Sequence, residues 1–188
     1  MSKILIVGDT HITEKSISEI NTIFEKDVFP IKADIIIQLG DFYEKNTPSP
    51  AELEFGTELI AKLKKRYKRV VVLSGTGRHD WKNQVSIVSY LKYLKVETPG
   101  ITYTLEMDNK KIFFAHWMLK QSKLEYGSSR YGIKDLKEYD FVFLGHQHSP
   151  QVLLKDKIFH LGSVRWQNFN EASDPYKQIA ILENGVLT

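Results

Sequence analysis

The apolar residues of this chain fall into short continuous runs, and most of these runs stop at a glycine or a polar residue. A continuous run of four or five apolar residues, many of them β-branched, is typical of a strand that is buried on both faces. Such strands are predicted at 3–7, 34–39, 69–73 and 141–144. Segments with apolar residues at helical spacing separate the first three strands, so we expect βαβ units and a mainly parallel sheet.

Helices are predicted between and after these strands. Residues 16–28 carry apolar side chains at helical spacing, and Pro30 closes the segment. Residues 49–52 have the capping-box pattern with proline at the first helical position, so a second helix begins there and reaches a basic end at 62–68. A third helix is predicted at 85–94.

The second half of the chain changes from βαβ units to hairpins. Hairpin strands are predicted at 102–107 with 111–115 and at 151–154 with 158–161, and a last strand at 178–182. We therefore predict an α/β fold, a four-layer α/β/β/α sandwich in which two mixed sheets pack face to face with helices outside. The whole chain, 1–188, is expected to form a single domain.

The composition restricts the possible functions only in part. Lys and Arg exceed Asp and Glu by 26 − 23 = 3, an excess too small to predict or to exclude a nucleic-acid partner. Cysteine is absent, which excludes disulfides and thiolate zinc sites and fits a reducing cytoplasm. No stretch approaches about 18 continuous apolar residues, so we expect a soluble cytoplasmic protein without a membrane partner. The composition is equally compatible with a homodimer or with a protein partner.

Polar clusters carry five of the six histidines, and each cluster lies at or near the end of an apolar run. A single Asp-x-His pair is most often ordinary loop chemistry, but nothing in core packing requires His or Asp at successive strand ends. In a protein without cysteine, imidazole and carboxylate are the ligands of zinc, manganese and iron, so the pattern indicates a metal site. The clusters consist of Asp9 and His11, Asp41, Arg78 with His79 and Asp80, His116, and His146 with His148.

The order of these motifs resembles that of the calcineurin-like metallophosphoesterases. The matching segments are 8–11 (Gly-Asp-Thr-His), 40–41 (Gly-Asp), 77–80 (Gly-Arg-His-Asp), His116 and 145–148 (Gly-His-Gln-His). Each segment is a weak signal alone, whereas the whole set is specific and covers most of the chain. Within the family, the SbcD-type DNA repair exonuclease group is the most similar, on the segments 40–43, 46–49, 143–148, 150–151 and 161–165.

The resemblance implies a two-metal phosphoesterase site. Two divalent ions that share a carboxylate clamp a phosphate and lower the pKa of a bound water, which attacks phosphorus in line. Manganese is the expected metal, with zinc, iron, nickel or magnesium as alternatives. His79 is implied to protonate the leaving oxygen or to stabilise charge on it, with Asp80 orienting its imidazole. The implied ligands are Asp9, His11 and His148 for one ion, Asp41 as the bridge, and His116 and His146 for the second ion.

Two positions depart from the family pattern. Arg78 stands where the family has an asparagine whose carbonyl oxygen ligates the second metal, and a guanidinium has no lone pair to offer. Either Arg78 turns outward and holds the substrate phosphate, or the second metal is weak or absent and Arg78 supplies its charge. Glu44 stands where the nuclease group often has histidine, and a solvated side chain is favoured over one that accepts a hydrogen bond from a metal ligand. No cap domain is expected, so loops of this one domain would select the substrate.

The leading hypothesis is a metal-dependent phosphodiesterase acting on nucleic acid, with DNA as the substrate that the resemblance implies. A small-molecule or cyclic-nucleotide phosphoesterase is one alternative, and a catalytically impaired or non-enzymatic scaffold is another, because Arg78 replaces the asparagine. His160 is expected to be structural, and a surface loop near the metals is predicted at 126–132. Side chains that could contact bases or phosphate are Tyr43, Trp81, Trp117, Arg130, Tyr131 and Trp166.

Overall fold

Twelve strands form the centre of the part of the molecule that the structure describes. The structure is a computed structural model, and it describes residues 3–123 and 129–188. In chain order the strands are β1 (Lys3–Val7), β2 (Ile35–Gln38), β3 (Arg69–Val72), β4 (Trp81–Lys82), β5 (Val85–Ser86), β6 (Thr102–Met107), β7 (Lys110–Ala115), β8 (Phe141–Leu144), β9 (Gln151–Leu154), β10 (Ile158–His160), β11 (Ala180–Glu183) and β12 (Val186–Leu187). The α-helices of the described residues are α1 (Ile17–Ile23) and α2 (Pro50–Arg66). Every strand predicted from an apolar run is present, within two residues of its predicted ends.

The strands form two mixed five-stranded sheets, with the orders β12-β11-β1-β2-β3 and β6-β7-β8-β10-β9. The neighbours β1, β2 and β3 are parallel, as are β7, β8 and β10, and antiparallel strands complete each sheet. A bridge between Asp9 and Ser163 joins the loop after β1 to the loop after β10. The carboxyl ends of the parallel strands of both sheets therefore meet at one end of the sandwich, where α/β sheets place their ligands.

The sheets pack face to face through an apolar layer, and each outer face carries a further apolar cluster. Fully burying one such aliphatic or aromatic side chain stabilises the fold by about 1.5–3 kcal/mol. The helices cover the outer face of the first sheet, and the short 3₁₀ helix Ile133–Leu136 packs on the outer face of the second. The predicted four-layer arrangement is confirmed. Representative buried residues are Ile4, Ile6, Ile37, Phe114 and Phe143 between the sheets, Leu5, Ile20, Leu59 and Leu63 under the helices, and Val142, Leu144 and Leu136 on the far face.

The helices follow the sequence signals with two differences. Helix α2 begins at the predicted capping box, in which Ser49 accepts from the Glu52 backbone N–H and Glu52 accepts from the Ser49 backbone N–H. The first predicted helix is divided into a 3₁₀ turn at Glu14–Ser16, α1, and a π turn at Phe24–Val28. None of the helices in 3–123 and 129–188 is both long enough and apolar enough to cross a membrane.

The predicted helix at 85–94 is wrong in its first two residues. Val85–Ser86 is strand β5, which pairs with β4, and only Ile87–Leu94 is helical, as a 3₁₀ helix. The turn between β4 and β5 consists of Asn83 and Gln84, both with positive φ, which is the conformation of a tight two-residue hairpin. A two-residue turn without glycine carries little sequence signal, so the apolar spacing alone misplaced the helix start.

Candidate metal centre

Three of the predicted ligands have backbone in the left-handed region. The φ angle is 48° at His11, 48° at Asp41 and 78° at His146, and each residue lies in the loop that follows a strand of the sandwich. A non-glycine residue in this region costs about 1–3 kcal/mol and is concentrated at functional sites. The sharp turn at each position directs the side chain inward, toward the end of the sandwich where the loops meet.

Glycines allow the loops to approach the carboxylates closely. A Cβ at Gly75 would lie 1.8 Å from Asp41 Oδ1, and a Cβ at Gly145 would lie 2.6 Å from Asp9 Oδ1. These positions accept no side chain, because real Cβ contacts are not found below about 3.0 Å. The Thr76 backbone N–H then donates to Asp41 Oδ1 at 2.9 Å, and the His146 backbone N–H donates to Asp9 Oδ2 at 2.9 Å. The backbone therefore holds both carboxylates in position.

The first cluster of donors consists of Asp9, His11 and His148. Asp9 and His11 are fully buried, and His148 is partly buried. The Nε2 atoms of His11 and His148 lie 4.0 Å and 3.9 Å from Asp9 Oδ2. One ligand atom from each residue lies within 4.8 Å of the others, a separation that a single metal ion can span.

The second cluster consists of Asp41, His116 and His146, again with donor atoms within 4.8 Å of one another. Asp41 also joins His11 and His79 in a third group of the same size, so Asp41 lies between the two clusters. The distances from Asp41 Oδ2 are 3.1 Å to His116 Nε2 and 3.7 Å to His11 Nε2. This is the position that a bridging carboxylate occupies.

Two buried ring nitrogens point into this arrangement without a hydrogen bond. Within the described residues, His11 Nε2 and His116 Nε2 are buried and have no hydrogen-bond partner of acceptable geometry. A buried nitrogen without a partner is costly, but it is what a metal ligand requires before the ion is bound. The donor set, its overlap at Asp41 and these two nitrogens fit one or two divalent ions.

The Nδ1 atoms of two ligand histidines are hydrogen-bonded to acceptors. His116 Nδ1 lies 2.7 Å from the Leu39 carbonyl, and His148 Nδ1 lies 3.0 Å from Glu171 Oε1. At these two residues the acceptor assigns the proton to Nδ1 and leaves the Nε2 lone pair for a metal. His11 Nδ1 lies 2.9 Å from Glu44 Oε2, which is an ion-pair distance without the geometry of a hydrogen bond. Glu44 was expected to be solvated, but its carboxylate lies against His11, and this contact lowers its pKa.

Glu171 was missed by sequence reasoning. It lies 23 residues beyond His148, in the 3₁₀ helix Phe169–Glu171, and no recognised spacing connects the two. Its Oε2 accepts from Lys177 Nζ at 2.6 Å and from Ser163 Oγ at 3.1 Å, and the Glu171 and Lys177 side chains are each only 5% exposed. Burial alone would raise the pKa of Glu171, but His148 and Lys177 lower it to about 2, so the carboxylate behind His148 stays ionised.

The charges at the centre favour a cation between the carboxylates. Burial raises the pKa of Asp9. Burial would do the same at Asp41, but the neighbouring His116 lowers the Asp41 pKa well below its usual range. Burial would lower the pKa of His116, yet Asp41 and Asp9 raise it to about 10, whereas burial lowers the pKa of His146 to about 4. A positive charge beside Asp41 is thus stabilised, and a divalent ion would take the place of that proton.

The loop at 76–80 lies at the edge of these clusters. His79 Nδ1 contacts the Glu44 carbonyl oxygen, and its ring meets that of His11 edge-on, with centroids 4.8 Å apart. The expected contact between Asp80 and the His79 imidazole is not found: Asp80 Oδ2 accepts from the Gly75 N–H, and burial raises the pKa of Asp80 to about 7. Asp80 shapes the loop, whereas a backbone carbonyl orients His79.

Arg78 is exposed at the tip of the same loop. It takes part in no hydrogen bond or ion pair that the structure shows among residues 3–123 and 129–188. Of the two expectations for Arg78, the exposed side chain fits the one in which it turns outward. An arginine here is available to an anionic group that approaches the clusters from solvent.

The remaining candidates differ in their surroundings. Tyr43 is buried with its hydroxyl 2.6 Å from that of Tyr90, and Trp81 Nε1 donates to the Gly75 carbonyl at 3.0 Å, so both hold local structure. His160 is buried, with Nε2 2.8 Å from Ser122 Oγ, in the structural position that was expected. Of the predicted loop, 126–128 lies outside the described residues. Side chains with exposed surface or a stacked partner are Trp117 on Tyr131 at 4.6 Å, Arg130, and Trp166, which is 48% exposed.

Comparisons with known proteins agree with this architecture. A family model for the calcineurin-like phosphoesterase superfamily domain matches residues 2–183. No protein with a curated description matches the sequence. Among solved structures, an archaeal phosphodiesterase has a TM-score of 0.60 at 18% identity, covering 99% of this chain and 97% of that chain. A Vps29 from Entamoeba histolytica, complexed with zinc, has 0.54 at 14% (96% and 85%), and Yfce, a phosphoesterase from E. coli, has 0.54 at 15% (99% and 91%). At these identities the structural likeness concerns the fold alone.

Proposed function

The chain belongs to the calcineurin-like phosphoesterase superfamily, and on that premise we propose that it is a metal-dependent phosphodiesterase acting on nucleic acid. The observation that carries the proposal is the overlap of donor clusters at Asp41, with two buried histidine nitrogens free to bind metal. Manganese is the proposed metal; the carboxylates suit it, and the four imidazoles make zinc, iron and nickel the alternatives. The proposed ligands are Asp9, His11 and His148 for one ion, Asp41 as the bridge, and His116 and His146 for the other.

The residues around the clusters have separate roles in this proposal. Bound divalent ions would supply the positive charge that holds a phosphate and makes water a better nucleophile. His79 is held by a hydrogen bond from its Nδ1–H to the Glu44 carbonyl; in the imidazolium form it gives its Nε2 proton to the leaving oxygen and becomes the neutral imidazole. Arg78, which is exposed, contacts a non-bridging phosphate oxygen.

The experiment that tests the activity is turnover of bis(4-nitrophenyl) phosphate before and after chelation. We expect activity to disappear with chelator, to return with manganese, and to be lost in Asp41→Asn. The matched control is Asp108→Asn, because Asp108 also has a positive φ, 52°, but lies in the turn between β6 and β7. The proposal is wrong if no divalent metal supports turnover.

A scaffold without catalysis is the second candidate function, favoured by the absence of a ligand atom on Arg78. Elemental analysis separates the possibilities: two ions per chain support the full site, one ion an impaired site, and none a scaffold. Nucleic acid as substrate is tested by the salt dependence of DNA binding, since contacts to several phosphates give a steep decrease in affinity with salt. A flat salt dependence favours a small-molecule diester instead.

A further inference from the structure

A groove of about 780 Å³ lies between helix α1 and the segment 164–179. Its volume is in the range of about 300–1,000 Å³ that is usual for small-molecule sites. The side of α1 contributes hydroxyl groups and charges, and the opposite side contributes aromatic rings. The lining residues that the following argument uses are Lys15, Glu19, Asp27, Arg165, Trp166 and Tyr176.

The floor of the groove is continuous with the backbone of the first donor cluster. The Val164 N–H donates to the Asp9 carbonyl at 2.9 Å, and Lys177 Nζ donates to the His148 carbonyl at 3.0 Å. Arg165 reaches the carbonyl of the third ligand, His11, at 3.5 Å. Val164, Arg165 and Lys177 all line the groove, so the wall of the groove is hydrogen-bonded to the backbone of Asp9, His11 and His148.

Two exposed aromatic rings define one wall. Trp166 is 48% exposed and Tyr176 is 56% exposed, and both rings line the groove. Trp166 is held in place, because its Nε1 donates to the Asp174 carbonyl at 3.3 Å and Lys177 Nζ lies 5.8 Å from its ring centre. A fixed ring with one free face is suited to stacking on a flat aromatic group.

The charges of the groove are largely compensated. Arg165 faces Glu19 at 3.6 Å, and Lys177 is paired with Glu171 and Asp174. Among the charged lining residues, this leaves one cation, Lys15, and one anion, Asp27, both exposed. The groove therefore suits a neutral flat group with hydrogen-bonding edges, and the anionic part of the same ligand belongs at the metal clusters.

We propose that this groove is the subsite for a nucleoside whose attached phosphodiester lies at the metal centre, with the base stacked on Trp166 and Tyr176. This proposal rests on the proposed phosphodiesterase function and adds a substrate preference, namely for diesters that carry a nucleoside. In this placement the nucleoside ester extends from the phosphate toward Trp166 and Tyr176, and the leaving oxygen faces His79, whose ring contacts that of His11.

The test compares two diesters with the same leaving group, thymidine 5′-(4-nitrophenyl) phosphate and methyl 4-nitrophenyl phosphate. Loss of one base–ring stacking contact corresponds to a decrease of about 5- to 150-fold. We expect Trp166→Ala to lower kcat/KM by this factor for the thymidine ester and to change the methyl ester less than about twofold. Trp166→Phe should retain most of the preference, and Tyr176→Ala should repeat the selective loss. Tyr93→Ala is the control, since Tyr93 is 79% exposed and lies on the 3₁₀ helix Ile87–Leu94.

Equal losses on both esters, or no loss in Trp166→Ala and Tyr176→Ala, overturn the proposal. Binding of thymidylyl-thymidine, measured by calorimetry in the wild type and in Trp166→Ala, separates the subsite from the activity. Trp166-dependent binding in a chain that hydrolyses no diester supports the groove and refutes the phosphodiesterase. Turnover of both esters without dependence on Trp166 or Tyr176 refutes the groove alone.

Discussion

Replacing Glu171 by glutamine tests whether a buried carboxylate sets the affinity of the first donor cluster. The change keeps the shape of the side chain and removes a negative charge 3.0 Å from His148 Nδ1. Carboxylates that support a metal-bound histidine typically contribute 10- to 100-fold in metal affinity, which corresponds to about 1.4–2.7 kcal/mol. Because the Glu171 side chain is only 5% exposed, solvent screens little of this effect. We therefore expect affinity at the Asp9, His11 and His148 cluster to fall by about 10- to 100-fold.

The control for this change is Asp174→Asn. Lys177 Nζ is paired with both Glu171, at 2.6 Å, and Asp174, at 2.9 Å, so each substitution removes one carboxylate from the same lysine. Of these two carboxylates, only that of Glu171 contacts His148. If the effect passes through the imidazole, Asp174→Asn should weaken metal binding less than about threefold, whereas a general disturbance of Lys177 would weaken both variants alike.

Calorimetric titration of manganese into the metal-free wild type and variants measures the affinity directly, without reference to activity. The second cluster provides an internal reference, because the partner of its His116 is the Leu39 carbonyl, which neither substitution changes. The reasoning is refuted if Glu171→Gln binds its tightest ion within twofold of the wild type, or if Asp174→Asn loses as much affinity as Glu171→Gln.

Two further predictions concern Arg78 and His160. Arg78→Asn restores a carbonyl ligand near the second cluster, so the number of metal ions per chain should rise or the weaker ion should bind more tightly. If elemental analysis shows the same metal content and the activity is unchanged, this interpretation of Arg78 is wrong. Burial lowers the pKa of His160 to about 4, below its value of about 6.5 in an unfolded chain. Between these two pH values the unfolded state binds more protons than the folded state, so the free energy of unfolding falls as the pH decreases from about 6.5 to about 4. Between pH 7 and 4.5 this group should lower the free energy of unfolding by about 2 kcal/mol. Urea unfolding of His160→Asn should show a pH dependence that is smaller by this amount. Equal pH dependence in the two proteins would show that His160 does not titrate as described.

The strands could be predicted because continuous apolar runs report burial on both faces, and the convergence of the polar clusters followed from the parallel order of β1, β2 and β3. The β4–β5 hairpin was missed because Val85 is 61% exposed and the Asn83-Gln84 turn has no glycine. At such positions tertiary context decides the conformation, and local pattern has little influence.

Residues that act behind the ligands were the least predictable part of the site. Glu171 meets His148 only because the segment after β10 folds back. Gln38 joins the loop after β2 to the loop after β1 by donating to Gly40 O at 2.7 Å and to Gly8 O at 3.3 Å. Asp80 was expected from the family resemblance to orient His79, yet the two neighbouring side chains diverge: Asp80 accepts from the Gly75 N–H, and His79 contacts the Glu44 carbonyl. Sequence order indicates which strand end a residue follows, whereas the direction of its side chain depends on backbone angles that sequence does not state.

The left-handed backbone at His11, Asp41 and His146 makes folding stability and metal binding opposing requirements at these three positions. Each of these residues holds a conformation that costs about 1–3 kcal/mol and that glycine would adopt without strain. A glycine there would remove a donor and relieve strain in the same step. Selection for thermal stability alone would therefore favour variants that are more stable but have lost metal ligands. Libraries screened for thermal stability need a parallel screen for retained metal binding.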